Sequence, residues 1–246
     1  MSKEIIYGKN PVKEAVRGGK RNIYKIELAN NINVNFIQEL TPLCSDKKIP
    51  YYFMDKDELT GKLGKDEHQG AIAYAASYKY TSVDTILKFA DVKKEHPLLI
   101  ILDHVEDPQN LGAIIRTSEA VGVHGIIIPR RRSVGVTPAV TRASSGASEF
   151  VKIACVGNIA RIISELQQQW IWVIGCEGNA ETIYYELDYN MPVAVVLGSE
   201  GRGLSNIVKK RSDHLVKIPM YGNINSLNVA TTCGIMLYEA LKGRLT

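Results

Sequence analysis

The sequence predicts an α/β protein, a parallel sheet with helices on both faces, preceded by a smaller α/β unit. Three observations carry this. After Pro97, apolar runs of four to six residues recur at 98–102, 125–128, 151–155, 171–174, 193–197 and 215–218. Near-continuous apolar strands are what a sheet buried on both faces requires. Segments with helical spacing separate most of these runs, an alternation that gives parallel pairing. The chain before Ser77 repeats the alternation on a smaller scale.

In that first part, residues 5–8 lead into a helix over 10–17, with Asn10 as N-cap and Pro11 at the first helical position. Residues 23–28 alternate like a strand, and 35–44 suit a helix. A strand at 49–53, a helix at 55–63 with an acidic start, and a strand at 71–75 complete the unit. The polar stretch 77–95, with its charge cluster from Asp91 to His96 and a short helix over 83–89, reads as a joint. The expected organisation is a domain at 1–76, a linker at 77–96 and a second domain at 97–246. Helices in the second domain are expected at 110–121, 137–146, 158–169 and 226–242. Thr137 caps the second of these, with Pro138 in its first turn. The last is amphipathic through Val229, Cys233, Met236, Leu237, Ala240 and Leu241.

Composition sets broad limits. The 246 residues can bury a core without staples, and a net charge of +4 permits an RNA partner without demanding one. Cys44, Cys155, Cys176 and Cys233 are far apart and form no CxxC pair, so neither a metal site nor a disulfide framework is expected. The last three lie in apolar surroundings and read as small core residues. No apolar signal region follows Met1-Ser2-Lys3-Glu4, and the longest apolar runs are too short to span a bilayer. The expectation is a reduced, cytoplasmic, soluble protein with no membrane partner.

Three segments carry the chemistry. No GxGxxG follows the strand at 98–102, where Asp103-His104-Val105-Glu106-Asp107-Pro108-Gln109-Asn110 stands instead, and no GxxxxGK[ST] occurs. This weakens nicotinamide and NTPase readings. Gly198, Gly201 and Gly203 follow a buried strand, where glycine admits positive φ and close approach of a ligand, or simply a tight turn. Ser226 is placed as N-cap of the final helix with Asn228 in its first turn; they either cap it or orient a polar ligand at its positive end. Asn110 is placed as the N-cap of the helix that carries Arg116. Arg116 follows Leu111, Ile114 and Ile115, and an arginine on such an apolar helix needs an anion. That anion is either a carboxylate, Glu200 or Glu119, or a phosphate or ribose at a reacting centre.

Together, Asn110-Leu111-Gly112-Ala113-Ile114-Ile115-Arg116, Leu197-Gly198-Ser199-Glu200-Gly201-Arg202-Gly203 and Ile218-Pro219-Met220 through Ser226-Leu227-Asn228 resemble the motif set of the SpoU/TrmH (SPOUT) RNA ribose 2′-O-methyltransferases. Tyr7-Gly8-Lys9-Asn10-Pro11-Val12 and His68-Gln69-Gly70 resemble the small RNA-binding domain of the RlmB-type rRNA guanosine-methyltransferase branch. The resemblance implies a C-terminal trefoil knot, an L30e-like first domain and a homodimer. It implies S-adenosyl-L-methionine as cofactor, held around Leu197, Gly198, Ile218, Met220 and Leu227. It also assigns the reacting centre to Arg116, Asn110, Ser226, Asn228 and Glu200. The acceptor would be a guanosine in large-subunit (23S) rRNA. A tRNA ribose methyltransferase and a non-catalytic RNA-binding protein with the same fold are the alternatives.

Basic residues supply the expected RNA surface. Arg130-Arg131-Arg132 follows a strand, Lys209-Lys210-Arg211 forms another patch, and Lys9, Lys13, Arg17, Lys20 and Arg21 cluster in the first unit. The 2′-hydroxyl distinguishes an RNA partner from DNA.

Overall fold

The computed structural model describes residues 3–64, 66–199 and 201–245. The chain order begins β1 (Lys3–Tyr7), α1 (Lys9–Gly18), β2 (Ile23–Ala29), α2 (Val34–Asp46), β3 (Tyr51–Met54), α3 (Lys56–Leu63), β4 (Ala71–Ala76) and α4 (Val83–Lys93). It continues β5 (Leu98–Asp103), α5 (Pro108–Val121), β6 (Gly125–Pro129), α6 (Pro138–Ala143), β7 (Ile153–Val156) and α7 (Ile159–Gln167). It closes with β8 (Trp172–Cys176), β9 (Thr182–Ile183), β10 (Val193–Gly198), α8 (Asn206–Arg211), β11 (His214–Lys217) and α9 (Val229–Leu245). Two compact units result. One is the chain up to Lys79 together with Val136–Phe150; the other is Tyr80–Gly135 with the chain from Val151 onward.

The first unit holds a mixed sheet in the order β1-β4-β2-β3. β4 runs antiparallel to β1 and β2, and β2 runs parallel to β3. α1 buries Pro11, Val12, Ala15 and Val16, the spacing of one helical face. Its start differs from expectation. Gly8, at φ 99, occupies the cap position, and Asn10 lies inside the helix. The Lys9 N–H donates instead to Gln69 Oε1 at 3.2 Å, so the Tyr7–Val12 and His68–Gly70 segments meet. His68 is buried, and its Nδ1 accepts the Gly70 N–H at 2.9 Å. Burial holds the imidazole below its ordinary pKa, so the ring serves this turn as a neutral acceptor.

Val136–Phe150 interrupts the second unit's sequence and completes the first unit. Its Glu149 carboxylate is fully buried and meets the equally buried Arg21 guanidinium, Nε to Oε2 at 3.2 Å. Arg21 also reaches Glu4 at 3.0 Å and Thr141 Oγ1 at 3.3 Å. Arg21 is therefore a structural residue, not part of the expected RNA-facing cluster. The close fit fixes Gly146, at φ +89, because a Cβ there would lie 2.6 Å from Glu14 Cβ.

The expected linker at 77–96 is folded. The Thr81 N–H donates to the Ile153 carbonyl at 2.9 Å, and α4 places Ile86 and Leu87 in a core with Leu99, Ile127 and Ala154. The polar residues that suggested a joint, such as Asp84, Lys88 and Asp91, are the exposed face of α4.

The second unit is a seven-stranded sheet, β7-β6-β5-β10-β8-β11-β9, whose pairings are all parallel. β5 and β6 are buried along their whole length, which accounts for their continuous apolar runs. The short elements β9 and α8 have too few residues to show a period and were not expected. Two helix starts also differ from expectation. Asp107 caps α5, accepting from the Gln109 and Asn110 N–H groups at 2.5 and 3.3 Å, with Pro108 in the first turn. Asn228 rather than Ser226 caps α9, its Oδ1 accepting from Ala230 and Thr231 at 2.9 and 3.3 Å. α5 and α9 pack on one another.

Burial pushes the Cys44 and Cys176 thiols up to about 11 and Cys233 to about 12, so these act as packing groups rather than nucleophiles. Cys155 and Cys176 are only partly covered, which departs from the core reading. Among the described residues no helix is long and apolar enough to cross a membrane.

Candidate active site

Four neighbouring strands, β5, β10, β8 and β11, deliver their C-terminal ends side by side. From β5 the chain goes out to β6 and β7 on one side, then returns to β8 and β10 on the other. The switch therefore lies between β5 and β10, where open α/β sheets place their ligand crevice. Gly198, the last residue of β10, is in register with Asp103, the last residue of β5.

Two cavities open there. The larger, about 820 Å³, is walled by Cys176, Glu177, Gly178 and Asn179 after β8, by Leu197 to Ser199 and Gly201 to Gly203 after β10, by Ile218 and Met220 after β11, and by Asn225 to Val229 and Thr232 at the start of α9. The smaller, about 520 Å³, is walled by His104 to Asp107, Asn110, Arg132, Ser199, Arg202 to Ser205 and Val229. Ser199, Arg202, Gly203 and Val229 belong to both, so the cavities adjoin.

Of the residues singled out in sequence, Leu197, Gly198, Ile218, Met220, Ser226, Leu227 and Asn228 line the larger cavity. Asn110 and Arg132 line the smaller. Asn228 Nδ2 donates to Asn110 Oδ1 at 2.8 Å. One amide thus caps α9 through its oxygen and ties α9 to α5 through its nitrogen. Arg116 lies farther along α5, exposed, and is not among the residues lining either cavity. Glu200 lies outside the described residues. Arg130 and Arg131 are exposed, and so is Arg17, which pairs with Glu14 at 2.7 Å. Lys9 is partly covered; Lys13 pairs with Glu39 at 2.6 Å.

Gly198, besides lining the larger cavity, is required by the turn itself. A Cβ there would lie 2.1 Å from the Gly203 carbonyl carbon and 2.4 Å from the Leu204 nitrogen, before any ligand is met. The glycine lets the loop close on its own backbone. Gly198→Val is therefore expected to lower both the melting temperature and ligand affinity. Leu227→Ala, at a residue 37% exposed, is the cleaner probe and should weaken binding with the melting temperature retained. Calorimetric titration and thermal unfolding of both variants decide the matter. A Gly198→Val protein with wild-type stability would show that the loop is not packed as described.

Sequence reasoning missed several wall residues. Glu177 follows β8, with its side chain 15% exposed and Oε2 2.8 Å from Lys209 Nζ. His104 lines the smaller cavity and lies 2.6 Å from the buried Asp103. Arg202 was quoted only as part of a glycine loop. For Glu177, Asp103 and His104 the available signal was their place at the C-terminal end of a strand; Arg202 had none beyond the glycines around it.

Comparison with known proteins accords with this geometry. Residues 97–238 match the SpoU rRNA Methylase family, and residues 5–81 match the RNA 2′-O ribose methyltransferase substrate binding family. YacO of Bacillus subtilis (strain 168), named for the TrmH family of tRNA/rRNA methyltransferases, is 39% identical over 98% of this chain and 96% of its own. A Staphylococcus aureus (strain MSSA476) protein of the same description is 41% identical over 99% and 98%. The SpoU methyltransferase AviRb from Streptomyces viridochromogenes, solved in complex with AdoMet, shares the fold with a TM-score of 0.82 at 23% identity, over 99% of this chain and 91% of that one. The chain belongs to the SpoU/TrmH family of RNA methyltransferases.

Proposed function

We propose that this RNA methyltransferase transfers a methyl group from S-adenosylmethionine to a ribose 2′-oxygen, in a guanosine of large-subunit rRNA. The observation that carries the reading is the pair of adjoining cavities with different chemistry. The larger suits the cofactor. Its volume is within the range of small-molecule sites, and Leu197, Ile218 and Leu227 offer apolar walls to an adenine. Glu177 offers a carboxylate to the ribose hydroxyls or the cationic end. The smaller, with Arg132, Arg202 and Asn110, suits a nucleotide with its phosphates.

When bound, S-adenosylmethionine supplies an electrophilic methyl group on a sulfonium. The chain must hold the acceptor oxygen in line and stabilise the charge it develops. Asn228 and Asn110 fix the wall between α9 and α5, and Ser226 contributes a hydroxyl at the larger cavity. Arg116 stays protonated and acts as an anchor for the alkoxide and the adjacent phosphate. The first unit recruits RNA through Lys9 and Arg17, together with the segment at Arg130-Arg131-Arg132.

The reading includes a homodimer. Met220, Tyr221, Ile224 and Leu227 before α9, and Tyr238 on it, are exposed and apolar, a patch that a second copy would cover. It also includes a knotted C-terminal segment, supported by the insertion of β10 between β5 and β8 and the return of α9 onto α5.

The test uses labelled S-adenosylmethionine with total rRNA and total tRNA from cells lacking the gene, followed by nucleoside analysis. Label in 2′-O-methylguanosine of large-subunit rRNA is expected. Label in tRNA moves the target, and label on a base overturns the ribose reading.

A further inference from the structure

The end of β5 holds a constellation that the proposed mechanism does not use. Asp103 is 1% exposed. Its Oδ2 accepts the Ser205 N–H at 2.7 Å, and its Oδ1 lies 2.6 Å from His104 Nδ1. His104 is 37% exposed at its side chain and lines the smaller cavity beside Asn110, Arg132 and Arg202. Its backbone has φ +66, the left-handed region where glycine is at ease and other residues are uncommon.

The surroundings hold it there. The next residue, Val105, is buried, and its carbonyl accepts both the Val134 N–H and the Ser133 hydroxyl at 3.1 Å. A non-glycine residue kept in this region by its neighbours is a recurrent mark of a functional position. The Asp103 carboxylate lies at ion-pair distance from the ring, and a carboxylate so placed stabilises the imidazolium formed when the ring takes up a proton.

We propose that His104, positioned by Asp103, accepts the proton of the 2′-hydroxyl during methyl transfer. This rests on the ribose reading above. The 2′-oxygen forms its bond to the methyl carbon as the carbon–sulfur bond breaks, with that electron pair remaining on sulfur. The hydroxyl proton passes to Nε2, and the imidazolium later releases it to solvent. Arg116 is then needed only for charge stabilisation, which suits a group that does not deprotonate. The charged groups sharing the cavity are Glu106 and Asp107 from the same strand end, Arg132 from the segment after β6, and Arg202 from the loop after β10; Asp103 is buried behind the ring.

The experiment uses the full chain and two variants. His104→Asn tolerates the left-handed backbone and removes the imidazole; His104→Gly removes the whole side chain and suits the backbone. Single-turnover transfer is followed from about pH 5 to about pH 9, a range spanning imidazole titration, on whichever of total rRNA or total tRNA accepts label. The wild-type rate should fall toward the acid end of this range, because a protonated ring cannot accept. Both variants should lose roughly 10²–10⁴-fold and the acid limb, with S-adenosylmethionine affinity unchanged, and added imidazole should partly restore His104→Gly. Wild-type rates in the variants, an acid limb that survives in them, or lost cofactor affinity with no imidazole rescue would each overturn the proposal. The wild-type product separates the two readings. Base methylation ends the ribose reading whatever the variants do, whereas 2′-O-methylation with unimpaired variants ends only the role of His104.

Discussion

Replacing Arg116 with alanine is expected to lower single-turnover methyl transfer roughly 10²–10³-fold at saturating S-adenosylmethionine, the loss typical of one transition-state charge contact. The structure makes this a cleaner test than the sequence suggested. Arg116 is exposed on α5, while Leu111, Ile114 and Ile115 form its buried face, so removing the guanidinium opens no cavity in the core. Cofactor affinity and melting temperature should be retained. Arg116→Lys keeps the charge but loses the planar fork, and should recover little of the rate. Transfer at the wild-type rate by Arg116→Ala would remove the residue from the mechanism.

Arg21→Met is expected to destabilise the first unit by about 3–5 kcal/mol, because it leaves the fully buried Glu149 carboxylate without its cation. Hydrogen exchange in β1, β2 and β4 reads the effect locally. The double variant Arg21→Met with Glu149→Leu should recover most of the loss, since the unpaired charge is gone. Unchanged exchange in the single variant would mean the pair is not formed in solution. The same arrangement bears on truncation. A fragment beginning near Glu95 would keep Val136–Phe150 without the strands it packs on, and would lack Ile86 from its own core. It is not expected to fold as an independent catalytic domain.

The strands of the second unit were legible because burial on both faces leaves a run of apolar residues and little else. Helix starts were less so. Asn10, Asn110 and Ser226 are all acceptable capping residues, and composition alone cannot rank them against Gly8, Asp107 and Asn228. For α5 the better signal was Asp107 followed by Pro108, since proline fits the first turn and the acid precedes it. Arg21 read as one more basic residue in a cluster because its partner is 128 residues away in sequence. Nothing local marks a buried pair of that kind. The motif residues at the cavities were found through a resemblance, and two adjoining walls do bring them together. The Asp103–His104 pair left no periodic or compositional trace, since it depends on a turn conformation.

The excursion of Val136–Phe150 has a consequence for biosynthesis. The first unit is made first but lacks the Glu149 partner of Arg21 until Phe150 has been added. At about 5–20 residues per second, the stretch from Lys79 to Phe150 takes roughly 4–14 s to translate. During that interval the cationic side chain and the surface that will receive Ala147 and Ser148 stay open to water and to chaperones. Completion of the N-terminal part is thereby tied to prior synthesis of β5 and β6, the first two strands of the second unit's sheet. A nascent chain released before that point would carry an unfinished RNA-recruiting unit rather than a competent one.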